Sequence, residues 1–447
     1  MLLPIVEVPR TIEEEMEKYR EVFFRKEGFE HIKRYVSGLI LSPNKTLTGI
    51  YDAQVWEGEK PSSRAMHAGV FEANWSSYEL MKKHREIMAE KYKGKGKTVI
   101  SLDWTQAHHE RGANIYGVSK AYDYVNNRQS LHQTIITAVI SNRKRIDGLE
   151  TIVQKPSKEK EEIAYLAQTI EKSYEEMKQV QERLLELLHF QKHKLEYKKR
   201  TEIAVEMVKE LESSKQFPNA NYAFDNGVLT IDLTQEIENS GKHWVSEIEC
   251  SRNINWEGIW KRVDEIGGNL RNNHKESFRL VRVKCRNGEE KLFWVFSKVV
   301  RLKRYGKKRL AIVHEKEDLS DNPRFLLTDA LHWEGARIIE TWSYRWASEV
   351  FHEFSKQVTG FESAQLRKEE AVIRHFRLSC VAQSLVQSSD TSPSKSEKYS
   401  FANASITFGQ KVRSIVRQAW HSLLSLAHNL FAQGRDVDDV LQFLVPA

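Results

Sequence analysis

Two apolar runs that read as β-strands each stop at a lone acid, and a long helical stretch lies between them. The first run, in TVISLDW, ends at Asp103; the second, in NYAFDNGVLTIDL, carries Asp225 near its end. Between them, Lys155-Pro156-Ser157 opens a helical stretch that reaches Glu212, and Phe217-Pro218-Asn219 breaks it, because proline offers no backbone N–H to the next turn. Segments around NIYGVSKAYDYV and LHQTIITAVIS read as two further strands after the first run, and three strands in a row predict an antiparallel meander. Interleaving of this kind makes the chain mixed α/β. With only 9 Pro and 21 Gly it is neither collagen-like nor dominated by linkers.

Composition narrows the function classes. The 447 residues are 40% hydrophobic and 29% charged, enough apolar material for several cores. Cys250, Cys285 and Cys380 lie far apart without a CxxC, which argues against a disulfide framework or a Cys-rich zinc module and for a reducing cytoplasm. No run approaches 18 apolar residues, and MLLPIVEVPRTIEEEM lacks the basic start of a secretory signal, so no membrane partner is expected. A phosphate-binding G-x-x-x-x-G-K-[ST] run and a G-x-S-x-G elbow are both absent; neither a nucleotide cofactor nor a serine hydrolase is supported. The net charge of +7 acquires meaning only through its location.

The rest of the chain divides by texture. Residues 1–95 read as helical, with capping boxes at Thr11/Glu14 and Ser76/Glu79 and with SSRAMHAGVF as the second helix of a helix-turn-helix, or as part of an ordinary bundle. KYKGKGK reads as a tether, and His108-His109-Glu110 as a polar loop after the first strand. Ile163, Leu166, Ile170, Met177, Val180, Leu184 and Leu187 recur in three- and four-residue steps; they suit coiled-coil pairing and packing on the chain's own core equally. WVSEIEC is one more strand. FRLVRVKC, EKLFWVFSKVVRLKRY and KRLAIVHE are β-rich, FLLTDA closes that block, and a helix is predicted from about Gly335 to Val358. From Glu369 onward the chain is helical apart from a Ser-rich loop at 387–400.

A third acid joins the first two. Glu349 lies on the 335–358 helix, where Trp342, Arg345 and Lys356 fall within about 40° of it at 100° per residue. Ile339, Trp346, Val350 and Phe354 form the neighbouring apolar stripe expected to dock the helix on a sheet. Acids at two strand ends and on a late helix suit an RNase H-like fold, in which three carboxylates repel one another unless divalent cations sit between them. Taken alone, Arg345 and Glu349 also fit a surface salt bridge.

At these residues the chain resembles the DDE transposases of bacterial insertion sequences. WSYRWASEVFHEFSKQ resembles their Tyr-x2-Arg-x3-Glu-x6-Lys signature, with Arg345, Glu349 and Lys356 matching in identity and spacing and Trp342 in the tyrosine position. VISLDWT resembles the strand of the first Asp, and NYAFDNGVLTIDLTQEIENSGKHWVSEI the block of the second. FLLTDALHWEGARIIETW and AVIRHFRLSCVAQSLV resemble the flanks of the signature, and YREVFFRKEGFEHIKRYVSGLILSPNKT resembles one helical front end of the family.

The resemblance implies an RNase H-like catalytic core interrupted by a β-rich insertion, with an α-helical N-terminal DNA-binding domain and a helical C-terminal tail. The expected layout is 1–95 for the DNA-binding domain, 96–250 for the first part of the core (long helical segment 157–212 included), 251–320 for the insertion, 321–385 for the second part of the core and 386–447 for the tail. Asp103, Asp225 and Glu349 would be the catalytic acids and ligands of Mg²⁺, with Mn²⁺ able to substitute. Arg345, Lys356 and Trp342 would hold DNA near the cut, and Trp294 would stack on a flipped base, with Trp256 and Trp260 as rivals. Lys298, Arg301, Lys303, Arg304, Lys307, Lys308 and Arg309 would track phosphates. The partners implied are double-stranded DNA, as transposon ends and as target, and a second copy of the chain in a homodimer. The implied setting is the bacterial cytoplasm, on the nucleoid when bound to DNA. A nuclease without strand transfer, a non-transposing DNA-binding descendant and a helical scaffold remain as alternatives.

Overall fold

The computed structural model describes residues 3–56, 58–109, 112, 114–123, 126–155, 183–185, 187, 197–389 and 407–445. Among them the protein is mixed α/β, with 12 strands in one sheet. The heptad segment 160–187 falls almost wholly outside the described residues, as does most of the Ser-rich loop.

The front end is five helices: α1 (Arg10–Glu17), α2 (Lys26–Leu41), α3 (Leu47–Asp52), α4 (Ser63–His67) and α5 (Ser77–Tyr92). Ser76 caps α5 as expected, accepting from the Glu79 N–H at 3.2 Å. The expected box at Thr11 does not form. Pro9 precedes α1 without a side-chain cap, and the Thr11 N–H instead reaches Gln418 at 2.9 Å.

Next come β1 (Val99–His108), β2 (Ser119–Asp123), β3 (Arg128–Ser141) and β4 (Ile146–Val153). Then follow α6 (Arg200–Ser213), β5 (Asn221–Phe224), α7 (Ile231–Asn239) and β6 (Trp244–Glu247). β4 escaped the sequence reading, and His108 belongs to β1, opposite His132, rather than to a loop. The 251–320 block holds β7 (Asn253–Trp256), β8 (Ile259–Arg262), α8 (Val263–Asn273), β9 (Arg279–Lys284), β10 (Glu290–Leu302) and β11 (Gly306–His314). β12 (Arg324–Thr328), α9 (Gly335–Ser343), α10 (Trp346–Gln357), α11 (Glu369–Gln387), α12 (Phe408–Ala432) and α13 (Val437–Leu444) complete the chain.

The strand order is β2-β3-β1-β5-β6-β12-β11-β10-β7-β8, with β4 on the outer edge of β3 and β9 on that of β10. β1, β5 and β6 run parallel; the other pairs are antiparallel. The hydrogen-bonded sheet therefore passes from β6 through β12 into the insertion strands without interruption.

Residues 1–95 do not bury their apolar side chains by themselves. Ile32, Val36, Leu39, Val70 and Leu80 share one core with Ile135 and Val139 of β3, Phe351 of α10 and Phe376 of α11. The other sheet face packs Ile100, Leu102 and Ile136 against Met207 and Val208 of α6 and Leu233 of α7. α9 covers β6, β10, β11 and β12 through Ile338 and Ile339. Gly148 of β4 permits close docking of the helices above it. A Cβ there would lie 2.4 Å from the Cys380 Sγ and 2.7 Å from the Phe351 ring, so any side chain would push α10 and α11 off the sheet.

Candidate active site

Sheet register brings the two aspartates together. β1 and β5 pair in parallel with Ser101 opposite Ala223, so Asp103 and Asp225, each two residues on, stand at neighbouring positions just past the end of that ladder. Asp225 follows the last residue of β5, whereas β1 does not end at Asp103 as expected but runs on to His108. Adjacent strands lie about 4.8 Å apart. Strand alternation puts Asp103 on the face of Val99 and Ser101, and that face meets the α9–α10 region: Val99 packs with Tyr344, and the Ser348 hydroxyl donates to Ser101 at 2.6 Å.

Each aspartate spends one oxygen on nearby backbone. Asp103 Oδ1 accepts from the Trp104 N–H at 2.8 Å. Asp225 Oδ1 accepts from Gly227 at 3.0 Å and Val228 at 3.3 Å, the tight turn that follows β5. Gly227 suits the place, since a Cβ would crowd the Trp104 ring at 3.1 Å. Arg200 lies over the outer side of that ring, 4.1 Å from its centre. Burial, and next the negative charge of Asp225, push the Asp103 carboxyl up to about 7; Glu349 adds to this and Arg345 opposes it. The three acids and Arg345 thus share one electrostatic neighbourhood.

The signature helix departs from the sequence reading in two ways. It is two helices rather than one, joined at Tyr344 and Arg345 by a tightened turn in which the N–H groups of Tyr344, Arg345, Ala347 and Ser348 each bond three residues back. The docking stripe is also rotated. Trp346 is 57% exposed and Val350 and Phe354 are only half-buried, whereas Ala347, Ser348, Phe351, His352 and Ser355 face the sheet. The expected stripe assumed that only apolar residues go inward, but α10 buries polar ones too, and the sheet supplies partners for Ser348 and His352.

Glu349 meets Arg345 at 2.6 Å, the i,i+4 ion pair that the spacing also allowed. Trp342 is half-buried between two cations, Arg324 at 4.9 Å and Arg345 at 5.5 Å from its ring centre. Lys356 donates to the Gln106 carbonyl at 2.6 Å and pairs with Glu362 at 3.2 Å, which holds its charge beside the end of β1. Below α10, His352 Nε2 and the Thr137 hydroxyl are 2.7 Å apart, and that hydroxyl also reaches the Asp103 carbonyl at 3.3 Å. Sequence reasoning missed Thr137 and His352. The available signal was Ser348, His352 and Lys356 at i, i+4 and i+8, a polar stripe along one side of a helix.

The basic run of the insertion separates by strand alternation. Arg301, Lys303, Arg304 and Lys307 are exposed at the β10–β11 turn. Lys308 points inward, 9% exposed, and pairs with Glu238 of α7 at 3.0 Å; Arg309 is held by the Leu331 carbonyl at 2.6 Å and the Ser297 hydroxyl at 3.2 Å. These last two are therefore removed from the phosphate-tracking surface that the sequence suggested. Of the insertion tryptophans, Trp294 is half-buried on the sheet core and Trp256 lies beneath Lys298 at 4.1 Å, while Trp260 on edge strand β8 is 47% exposed.

Three carboxylates are the donor type that a hard divalent cation takes, and an Asp103 carboxyl raised by burial and by Asp225 marks a place short of positive charge. Among the described residues, however, no three His, Cys, Asp or Glu side chains are grouped closely enough to hold a metal ion. One Glu349 oxygen, Oε1, is taken by Arg345 at 2.6 Å. Comparison with known proteins adds no family: no family model matches the chain, and no curated protein matches it.

Proposed function

We propose that this chain is a DNA transposase of the DDE type, with an RNase H-like core, that cuts DNA at element ends and joins the freed 3′-OH to target DNA. The observation that supports the reading is the parallel pairing of β1 with β5, which sets Asp103 beside Asp225, together with an Asp103 carboxyl raised by burial, by Asp225 and, less, by Glu349. Asp103, Asp225 and Glu349 would hold Mg²⁺ or Mn²⁺. A pair of such ions supplies Lewis-acid stabilisation of attacking and leaving oxygens in phosphoryl transfer.

The chain's own residues act around that chemistry. Lys356, fixed between the Gln106 carbonyl and Glu362, presents a cation against β1, three residues past Asp103. Arg345 neutralises Glu349 in the resting protein, and on binding DNA it exchanges the carboxylate for a backbone phosphate, a planar fork that suits both partners. Trp104 and Arg200 wall the opposite side of β1 with a stacked cation and indole. Arg301, Lys303, Arg304 and Lys307 give the insertion a cationic turn for duplex backbone. The working form on paired DNA ends is a homodimer.

The test uses the DNA that flanks the coding sequence. Purified protein with Mg²⁺ should nick that DNA at inverted repeats and join the 3′-OH product to a second duplex. Glu349→Gln should abolish both steps and retain DNA binding. A specific observation favours a second reading, a DNA-binding protein without chemistry: Glu349 is already engaged by Arg345. In that case wild type and Glu349→Gln bind DNA alike and neither cuts it.

A further inference from the structure

We propose that His352 is a positioning residue: through Thr137 it locks the rotation of α10 to the backbone of Asp103, and so fixes where Glu349 points relative to the two aspartates. The inference rests on the catalytic reading above and names how that site is held.

α10 meets the sheet through three polar contacts one turn apart. Ser348 donates to Ser101 of β1 at 2.6 Å, His352 meets Thr137 of β3 at 2.7 Å, and Lys356 donates to the Gln106 carbonyl of β1 at 2.6 Å. Apolar contacts alone tolerate sliding and rotation because dispersion is non-directional, whereas a hydrogen bond weakens steeply off axis. Three such bonds at i, i+4 and i+8 therefore fix both the rotation and the axial position of the helix.

The middle contact differs from the others in what lies behind it. Thr137 is the cross-strand partner of Asp103, and its hydroxyl also lies 3.3 Å from the Asp103 carbonyl oxygen. When the single hydroxyl proton goes to that oxygen, which can only accept, the hydroxyl oxygen receives the His352 Nε2–H, and the contacts run from imidazole to hydroxyl to main chain of the first acid. His352 sits three residues past Glu349, on the next turn of the same helix, so one hydroxyl couples the element of one acid to the backbone of another. Burial, and then Lys356, push the imidazole down to about 3, which keeps it neutral and the arrangement unchanged through the working pH range. Thr137 is fully buried and His352 is 8% exposed, so water does not compete for the bond.

Supporting contacts of this kind, one step removed from the groups that touch the metal, typically alter metal affinity or activity by about 10–100-fold when lost. The experiment compares Thr137→Val, which keeps shape and removes the hydroxyl, with Thr137→Ser, which keeps the hydroxyl, and adds His352→Phe. Each is measured for thermal stability, DNA affinity, Mn²⁺ binding by calorimetry and the Mg²⁺ dependence of cleavage. The proposal expects Thr137→Val and His352→Phe to fold, to bind DNA as wild type does, and to lose about 10-fold or more in Mn²⁺ affinity and cleavage rate, with Thr137→Ser close to wild type. If both variants lose only stability and the folded protein keeps its Mn²⁺ affinity and its rate, the positioning role is overturned while the catalytic reading stands. If wild type itself neither binds Mn²⁺ nor cleaves, the catalytic reading fails and the proposal fails with it.

Discussion

Two groups of buried acids sit on the same sheet and are treated in opposite ways. On β4, Asp147 is fully buried, yet Arg145 grips both its oxygens at 2.9 and 3.0 Å and the Tyr92 hydroxyl donates at 2.8 Å. Burial pushes that carboxyl up, but Arg145 and Tyr92 outweigh it and hold it below the ordinary range. Glu150, three residues on, lies between Arg85 at 3.0 Å and Arg377 at 3.1 Å. Asp103 on β1 is also enclosed, but the strongest charge acting on it is that of another acid, and its carboxyl is driven up to about 7. An acid supplied with its own guanidinium is part of the scaffold. One left short of positive charge keeps that deficit for something the fold does not provide.

Breaking the satisfied group should have the largest effect. Asp147→Ala leaves the Arg145 charge buried without its partner and should cost about 3–5 kcal/mol, read as a lower denaturant midpoint. A change under about 1 kcal/mol would mean that the β4 pair is not structural and would remove one side of the contrast.

Relaxing the unsatisfied group should act in the opposite direction. The folded-state pKa of Asp103 lies above its unfolded value, so between pH 4 and 7 the native state retains a proton that the unfolded chain has lost, and stability falls as pH rises through that window. Asp103→Asn removes this loss. In chelator the variant should match wild type near pH 4 and exceed it above pH 7, by up to about 4 kcal/mol if the whole shift is expressed, with cleavage abolished. Equal stabilities at both pH values would show that the carboxyl carries no such strain.

The cations of the insertion repeat the contrast on a smaller scale. Lys308 is paired with Glu238, whereas Lys307 is exposed and has no partner among the described residues. Lys307→Ala should reduce the salt slope of DNA binding by about 1, and Lys308→Ala should leave the slope alone while lowering stability by about 1 kcal/mol. The reverse result would exchange their roles.

The two groups also differed in how far the sequence disclosed them. Asp103 and Asp225 stood out because an acid after an apolar run breaks the pattern around it, and parallel pairing of β1 with β5 sets the two side by side, although β1 continues past Asp103 to His108. β4 was hidden because IDGLETIV carries Asp, Gly and Glu, residues depleted in strands, and the partners of Glu150, Arg85 and Arg377, are remote in sequence. The helix around Glu349 was found but mis-phased for a related reason. Ser348 and His352 look like an outer face until the hydroxyls of Ser101 on β1 and Thr137 on β3 are known to lie beneath them, and Trp346, the most apolar choice, is left outside. Periodicity reports hydrophobicity and is silent about hydrogen bonds closed across the fold. The front helices were recognised as helices but not as part of the central core, because amphipathic stripes do not say which surface they will cover.

The unbroken passage of hydrogen bonds from β6 through β12 and β11 to β10 makes the sheet a ruler. From β5, which carries Asp225 at its end, to β10 there are four strand steps, a span of about 19 Å across the strands. A flexible tether would let the cationic turn of the insertion wander relative to the acids, but a pleated plate sets that offset in whole strand spacings. Any polymer touching both places must offer its charges at that interval, and 19 Å is roughly half a turn of duplex. The length of the contact footprint is thus written in strand count, and a change in loop length elsewhere in the chain leaves it unaltered.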